Sequence, residues 1–151
     1  MKTITGVALI GMLMTGCASV RPAPAPLARE YQTTIGLFVI SRHDGRAALA
    51  LDDSHFYPFR LYSAAPSREA WAEHPEKYPD VKGHLPAGTV IRPTEIRRDR
   101  GFSFGYGFGS RTDVLAEIPE GTFGPVVIND LLMPDEAGAR IIPNLEYIKT
   151  K

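Results

Sequence analysis

The sequence predicts an all-β fold, or a mainly β fold with one short helix, arranged as a small barrel or sandwich. Three observations lead there. Short apolar runs rich in β-branched and aromatic residues recur along the chain, which is the pattern of strands. Turn-forming residues separate them, with 13 prolines and 14 glycines in 151 residues. Only one stretch carries both the start and the stop signals of a helix. No heptad pattern and no internal repeat points to another architecture.

The amino terminus reads as a leader rather than as part of that fold. Lys2 supplies a positive start, and residues 4–14 form an apolar run interrupted only by Thr5 and followed by small residues. A run of about 11 residues suits a secretory signal and falls short of the ~20 needed to span a bilayer. Leu13-Met14-Thr15-Gly16-Cys17 resembles the lipobox of bacterial lipoproteins, with Met14 where that family usually has leucine. The resemblance covers only the first twenty or so residues. It implies cleavage before Cys17, so that residues 1–16 are the signal peptide. It also implies a diacylglyceryl thioether on the Cys17 sulfur and acylation of the new amino group. Acyl chains contribute about 0.8 kcal/mol per buried methylene, so two or three of them make attachment effectively permanent. Ala18 follows the cysteine, where the family places aspartate to retain a protein at the inner membrane; the resemblance therefore implies the outer membrane. Cys17 is the only cysteine, so the exported domain is held by its core without a disulfide. About 115 residues suffice for that.

Residues 17–34 read as the lipidated cysteine and a tether. Arg21-Pro22-Ala23-Pro24-Ala25-Pro26 has proline at every second position, which favours extended polyproline II. At about 3.1 Å per residue such a spacer reaches roughly 50 Å. Residues 35–151 are then one compact β-rich domain. Residues 35–40 are an apolar strand, and Asp44-Gly45 is a turn signal that joins it to residues 47–51 as a hairpin. Residues 56–62 are a third strand, with Pro58 assigning it to an edge or bulge. Residues 67–74 are the helix: Ser67 caps it, Glu69 lies in its first turn and Pro75 stops it. Residues 76–86 read as a polar loop. Residues 89–98 form a strand weakened in its middle by Pro93. Phe102, Phe104, Tyr106 and Phe108 alternate with small residues, placing four aromatics on one face of a strand. Residues 114–118, 126–132 and 141–148 complete the set.

Charge narrows the function. Lys and Arg number 17, as do Asp and Glu, and loss of Lys2 leaves one acidic residue in excess. That balance lacks the basic footprint of nucleic-acid binding. The segment from Arg100 to Gly107 resembles the RNA-recognition octamer but fails at Gly105 and Gly107; its aromatics read as core, or as a ligand-facing strip for glycan or peptide. The run from Gly105 to Ser110 lacks the third glycine and the following helix of a dinucleotide site. Arg92, Arg97, Arg98 and Arg100 form a basic cluster interrupted by Glu95 and Asp99. It reads first as a solvated face and second as a contact for an acidic partner or lipid headgroup, with Arg97, Arg98 and Arg100 as its binding candidates.

No catalytic residue or cofactor is assigned. His43, His55, His74 and His84 lack metal-ligand spacing and read as surface residues, and Asp52-Asp53-Ser54-His55 alternates in direction along a strand. Asp113, Glu117, Asp130 and Glu146 read as ordinary strand charges. Lys151 matches the peptidoglycan-linked lysine of some lipoproteins in position only. The expectation is a non-catalytic envelope lipoprotein: a membrane-anchored module binding a protein or glycan partner. The alternative is a membrane-tethered hydrolase of wall or polysaccharide, which requires two polar or acidic side chains converging in a cleft.

Overall fold

The computed structural model describes residues 18–42, 44–51, 65–103, 107–121, 123–134 and 140–151; for residues 100–103, 107–110 and 134 it describes the backbone alone. Among the described residues the chain forms β1 (Ala18–Pro22), β2 (Tyr31–Thr33), β3 (Leu37–Ser41), β4 (Ala47–Leu51), α1 (Arg68–Glu73), β5 (Val81–Leu85), β6 (Val90–Ser103), β7 (Gly107–Glu117), β8 (Val126–Val127), β9 (Leu132–Pro134), β10 (Ile141–Pro143) and β11 (Ile148–Thr150). This is the mainly β fold with one short helix that the sequence predicts.

Nine of these strands make one sheet, in the order β11-β2-β6-β7-β8-β4-β3-β5, with β1 added along the edge of β6 that β2 uses further back. All pairings are antiparallel except β4 with β8. The path is open, so the sheet is not a closed barrel among the described residues. It nevertheless curls around one core. Ile148 at one end and Leu85 at the other bury in the same cluster as Val39, Leu49, Ile91 and Val114. β9 and β10 form a separate two-stranded ribbon.

Local chemistry explains the elements that were legible. Gly45 takes φ 79° in the β3–β4 turn, a conformation glycine adopts without strain. The Asp44 carboxylate accepts the Arg46 N–H there at 3.2 Å. The Ser67 hydroxyl accepts the Ala70 N–H at 3.1 Å and caps α1 as expected. Pro93 does not break β6, because the register with β7 slips between Pro93 and Glu95 and a bulge accommodates it.

Three stretches differ from the sequence reading. Residues 18–34 are not a free spacer. β1 pairs with Asp99 through Glu95 of β6, and the Pro24 carbonyl accepts the N–H groups of Leu27 and Ala28 in a tight turn. That turn buries Leu27 and leads into Tyr31 and Thr33, each about 2% exposed. The physical reason is the length of β6: its edge between β2 and the hairpin tip carries unpaired backbone groups, and β1 satisfies them. Residues 76–86 are not all loop, because β5 pairs with β3. Its alternation of Val81, Gly83 and Leu85 supplies too little apolar surface to be conspicuous, and Phe123 covers Gly83. The strand expected through Phe102 to Phe108 is divided between β6 and β7, with Phe102 opposite Phe108 and Ser103 opposite Gly107. The strand expected at 56–62, Asp52 to His55, His43, Phe104, Tyr106 and the whole of residues 1–17 lie outside the described residues.

Candidate functional site

Register decides where the charges of the central strands go. Residues opposite one another across a strand pair share a face, and faces alternate residue by residue. Arg21, Ile96 and Val114 are therefore in one row, and Ser19, Arg98 and Thr112 in the next row on the same face. Val20, Arg97 and Asp113, with Ala18, Asp99 and Arg111, occupy the other face.

The predicted basic cluster is consequently divided. The Arg97 Nε donates to Asp99 Oδ1 at 2.9 Å on one face. Arg98 is exposed on the opposite face and has no ion pair among the described residues. Arg92 is bound to Glu30, and the side chain of Arg100 lies outside the described residues. The same alternation that makes Arg97 and Arg98 neighbours in sequence keeps them from acting on one ligand.

Arg98 lines a groove of about 720 Å³ between the main sheet and the β9–β10 ribbon. One wall is Arg21 with Pro24, Pro26 and Leu27. The floor is Ile96 and Thr112, and the far wall is Arg140 with Ile141, Ile142 and Pro143. A smaller recess of about 200 Å³ continues from it past Thr112 and Ile141 to Met133 and Leu132. A separate cavity of about 380 Å³ lies beside Gly36, Arg68 and His84. Among the described residues none of these three linings contains a carboxylate. The groove thus offers an apolar surface rimmed by three guanidinium groups, a chemistry suited to a ligand that is both anionic and apolar.

The other face carries a charge network that sequence reasoning missed. Arg42 and Asp113 are 5% and 1% exposed. Asp113 Oδ2 lies 3.1 Å from Arg42 Nη1, 3.1 Å from Arg46 Nη1 and 3.0 Å from Arg111 Nη2. Its Oδ1 accepts from Asn129 Nδ2 at 3.2 Å. Asn129 also accepts the Val114 N–H and donates to the Thr112 carbonyl, which fixes it on β7. Asp44 and Asp99 complete the network through Arg42, Arg46 and Arg111. Arg42 and Arg46 flank the β3–β4 turn, so the Asp-Gly signal also positions two cations, one buried and one half-buried. Asp113 is therefore not an ordinary strand charge. Carboxylate oxygens already held by several guanidinium groups do not act as a base, so the network reads as structural rather than catalytic.

Its acids set a pH dependence. Burial pushes the Asp44 carboxyl up, but the Arg111 hydrogen bond, the Arg46 N–H and the nearby arginine charges outweigh burial and hold it below the ordinary aspartate value of 3.8. Asp99 behaves likewise: burial raises it, while hydrogen bonds from Arg97 and Arg46 and their charges bring it down. A depressed folded-state value stabilises the fold above the unfolded value, and that stabilisation is lost as pH falls through the folded value. The urea midpoint is expected to hold between about pH 7 and 5 and to decline below about pH 4. Asp44→Asn is expected to flatten part of that decline; an unchanged acid limb would remove Asp44 from the explanation.

His84 is half-buried rather than on the surface, its ring edge-on to Phe38 at 4.9 Å. A Cβ on Gly36 would stand 2.7 Å from the His84 ring, so a larger residue there requires the ring to shift. His74 lies 3.2 Å from Glu76 on the surface. Among the described residues no group of three or more His, Cys, Asp or Glu is placed to hold a metal ion. No helix of the described residues is long and apolar enough to cross a membrane. Compared with models of known protein families, with curated proteins and with solved structures, the chain has no match.

Proposed function

We propose that this chain is a cell-envelope lipoprotein, cut before Cys17, anchored by acyl chains on that sulfur at the outer membrane, and carrying a non-catalytic binding module. The pattern of residues 13–17 supports the anchor. One observation supports the binding role above the others: a groove lined by apolar side chains and the cations Arg21, Arg98 and Arg140, with no carboxylate among the described residues. Such a lining can hold an anionic partner. Among the described residues the membrane-tethered hydrolase has no equivalent support, since the acids that converge there are bound by arginines on the opposite face.

Cys17→Ser tests the anchor. The native chain is expected in the membrane pellet, labelled by palmitate and released only by detergent. The serine variant is expected to lose the label entirely. A variant that still incorporates palmitate and is cut at the same bond would overturn the reading.

A further inference from the structure

β1 begins at Ala18, one residue after the cysteine read as the lipid anchor, and it is hydrogen-bonded into the sheet. No spacer separates the folded domain from that residue. Arg21, on the groove wall, is four residues from Cys17. At about 3.4 Å per extended residue its Cα lies no more than roughly 14 Å from the anchored one. A domain joined so closely to a bilayer meets lipid headgroups at high effective concentration, whereas a soluble ligand has to be captured from dilute solution.

The groove fits that neighbour chemically. Arg21 and Arg98 are exposed and carry no ion pair among the described residues, and Arg140 stands on the opposite wall. Guanidinium groups bind phosphate through paired N–H donors. Leu27 and Ile96 give the same groove buried apolar lining, while Ile141 and Ile142, each 38% exposed, add exposed apolar surface. Among the described residues the groove lining has no aromatic side chain. The volume of about 720 Å³ lies within the range of small-molecule sites.

We propose that this groove seats one anionic phospholipid from the membrane that holds the anchor. Its phosphate rests on Arg21 and Arg98, and an acyl chain lies along Leu27, Ile96 and Ile142. The domain then lies against its own membrane instead of standing off it. This inference rests on the lipoprotein reading above and names the occupant of the same groove.

Native mass spectrometry of the full chain, expressed with its leader and purified in detergent, tests it. The probes are phosphatidylglycerol, phosphatidylcholine, inorganic phosphate and an oligo-aspartate peptide, each added separately. One phosphatidylglycerol per chain is expected to remain bound, with no comparable adduct from the other three. Neutralising an arginine near an anionic lipid costs about five-fold, so Arg21→Gln with Arg98→Gln is expected to weaken the adduct roughly twenty-five-fold. Both positions are exposed, and an unchanged circular-dichroism melt verifies that the double variant is folded. Equal retention of phosphatidylcholine overturns the proposal, as does preference for phosphate or for the peptide, or an adduct indifferent to the double variant. The intact mass in the same spectrum reports cleavage and acylation at Cys17, so a failed anchor and a failed lipid site are read separately.

Discussion

Asp113→Ala is expected to lower the unfolding free energy by about 3–5 kcal/mol, the cost of breaking a buried ion pair from one side. The argument turns on what remains. Asp113 is 1% exposed and its Oδ2 receives Arg42, Arg46 and Arg111 within 3.1 Å. The Arg42 side chain is 3% exposed, and its Nε already lacks a hydrogen-bond partner. Among the described residues, removing the carboxylate leaves that buried guanidinium with Asp44 as its one ion-pair partner. For a domain whose whole stability is on the order of 5–15 kcal/mol, such a loss moves the denaturation midpoint far. Asp113→Asn keeps the shape and the contact to Asn129 and is expected to fall between the native chain and the alanine variant. Arg42→Met combined with Asp113→Leu removes both charges together and is expected to recover much of the loss, since a buried pair replaced by apolar groups is often neutral. Urea denaturation of the four chains makes the comparison. If the double variant is no more stable than Asp113→Ala alone, unpaired charge is not the cause.

Phe38→Ala is the second large effect, at about 3–5 kcal/mol for a fully buried aromatic. Phe38 has no exposed surface and lies in the cluster with Ile40, Ala48, Ala50 and Val127. Its ring meets Trp71 of α1 edge-on at 5.7 Å and His84 of β5 at 4.9 Å. The neighbours Ala48, Ala50 and Ala65 are too short to fill the space left by the ring, so a cavity persists. The change therefore removes the packing that joins the helix to the outer face of β3 and β4. Chemical denaturation checks the energy. Trp71 is the only tryptophan, so a red shift of its emission in the folded variant checks the loosening of α1. An unshifted spectrum with a small stability change would mean that α1 is held by other contacts.

Both residues show how much of the molecule was legible in advance. Phe38 belongs to an apolar run whose composition identified a strand, and its burial follows from that. Asp113 carries no such mark. Its neighbours Arg111 and Thr112 are polar, and a charge in such company ordinarily faces water. The three arginines that neutralise it come from positions 42, 46 and 111, and only the folding of the β3–β4 turn over β7 brings them together. The groove was equally hidden. Arg98 stood out as part of a basic run, but Arg21 looked like spacer and nothing in the sequence marked Arg140. Hydrogen bonding of β1 to β6, and the placement of the β9–β10 ribbon, make them the rim of one site.

From the sequence alone came everything decided by neighbours along the chain: the Asp44-Gly45 turn, the Ser67 cap, most of the strands, the mainly β class, and the expectation of an acylated Cys17. These follow from backbone preferences and period-two patterning, which act over a few residues. Only the tertiary structure decided that residues 18–34 belong to the sheet, that Arg97 and Arg98 serve opposite faces, and that Asp113 is buried. Those outcomes depend on which strand lies beside which and in what register, and a shift of one residue would exchange the two faces.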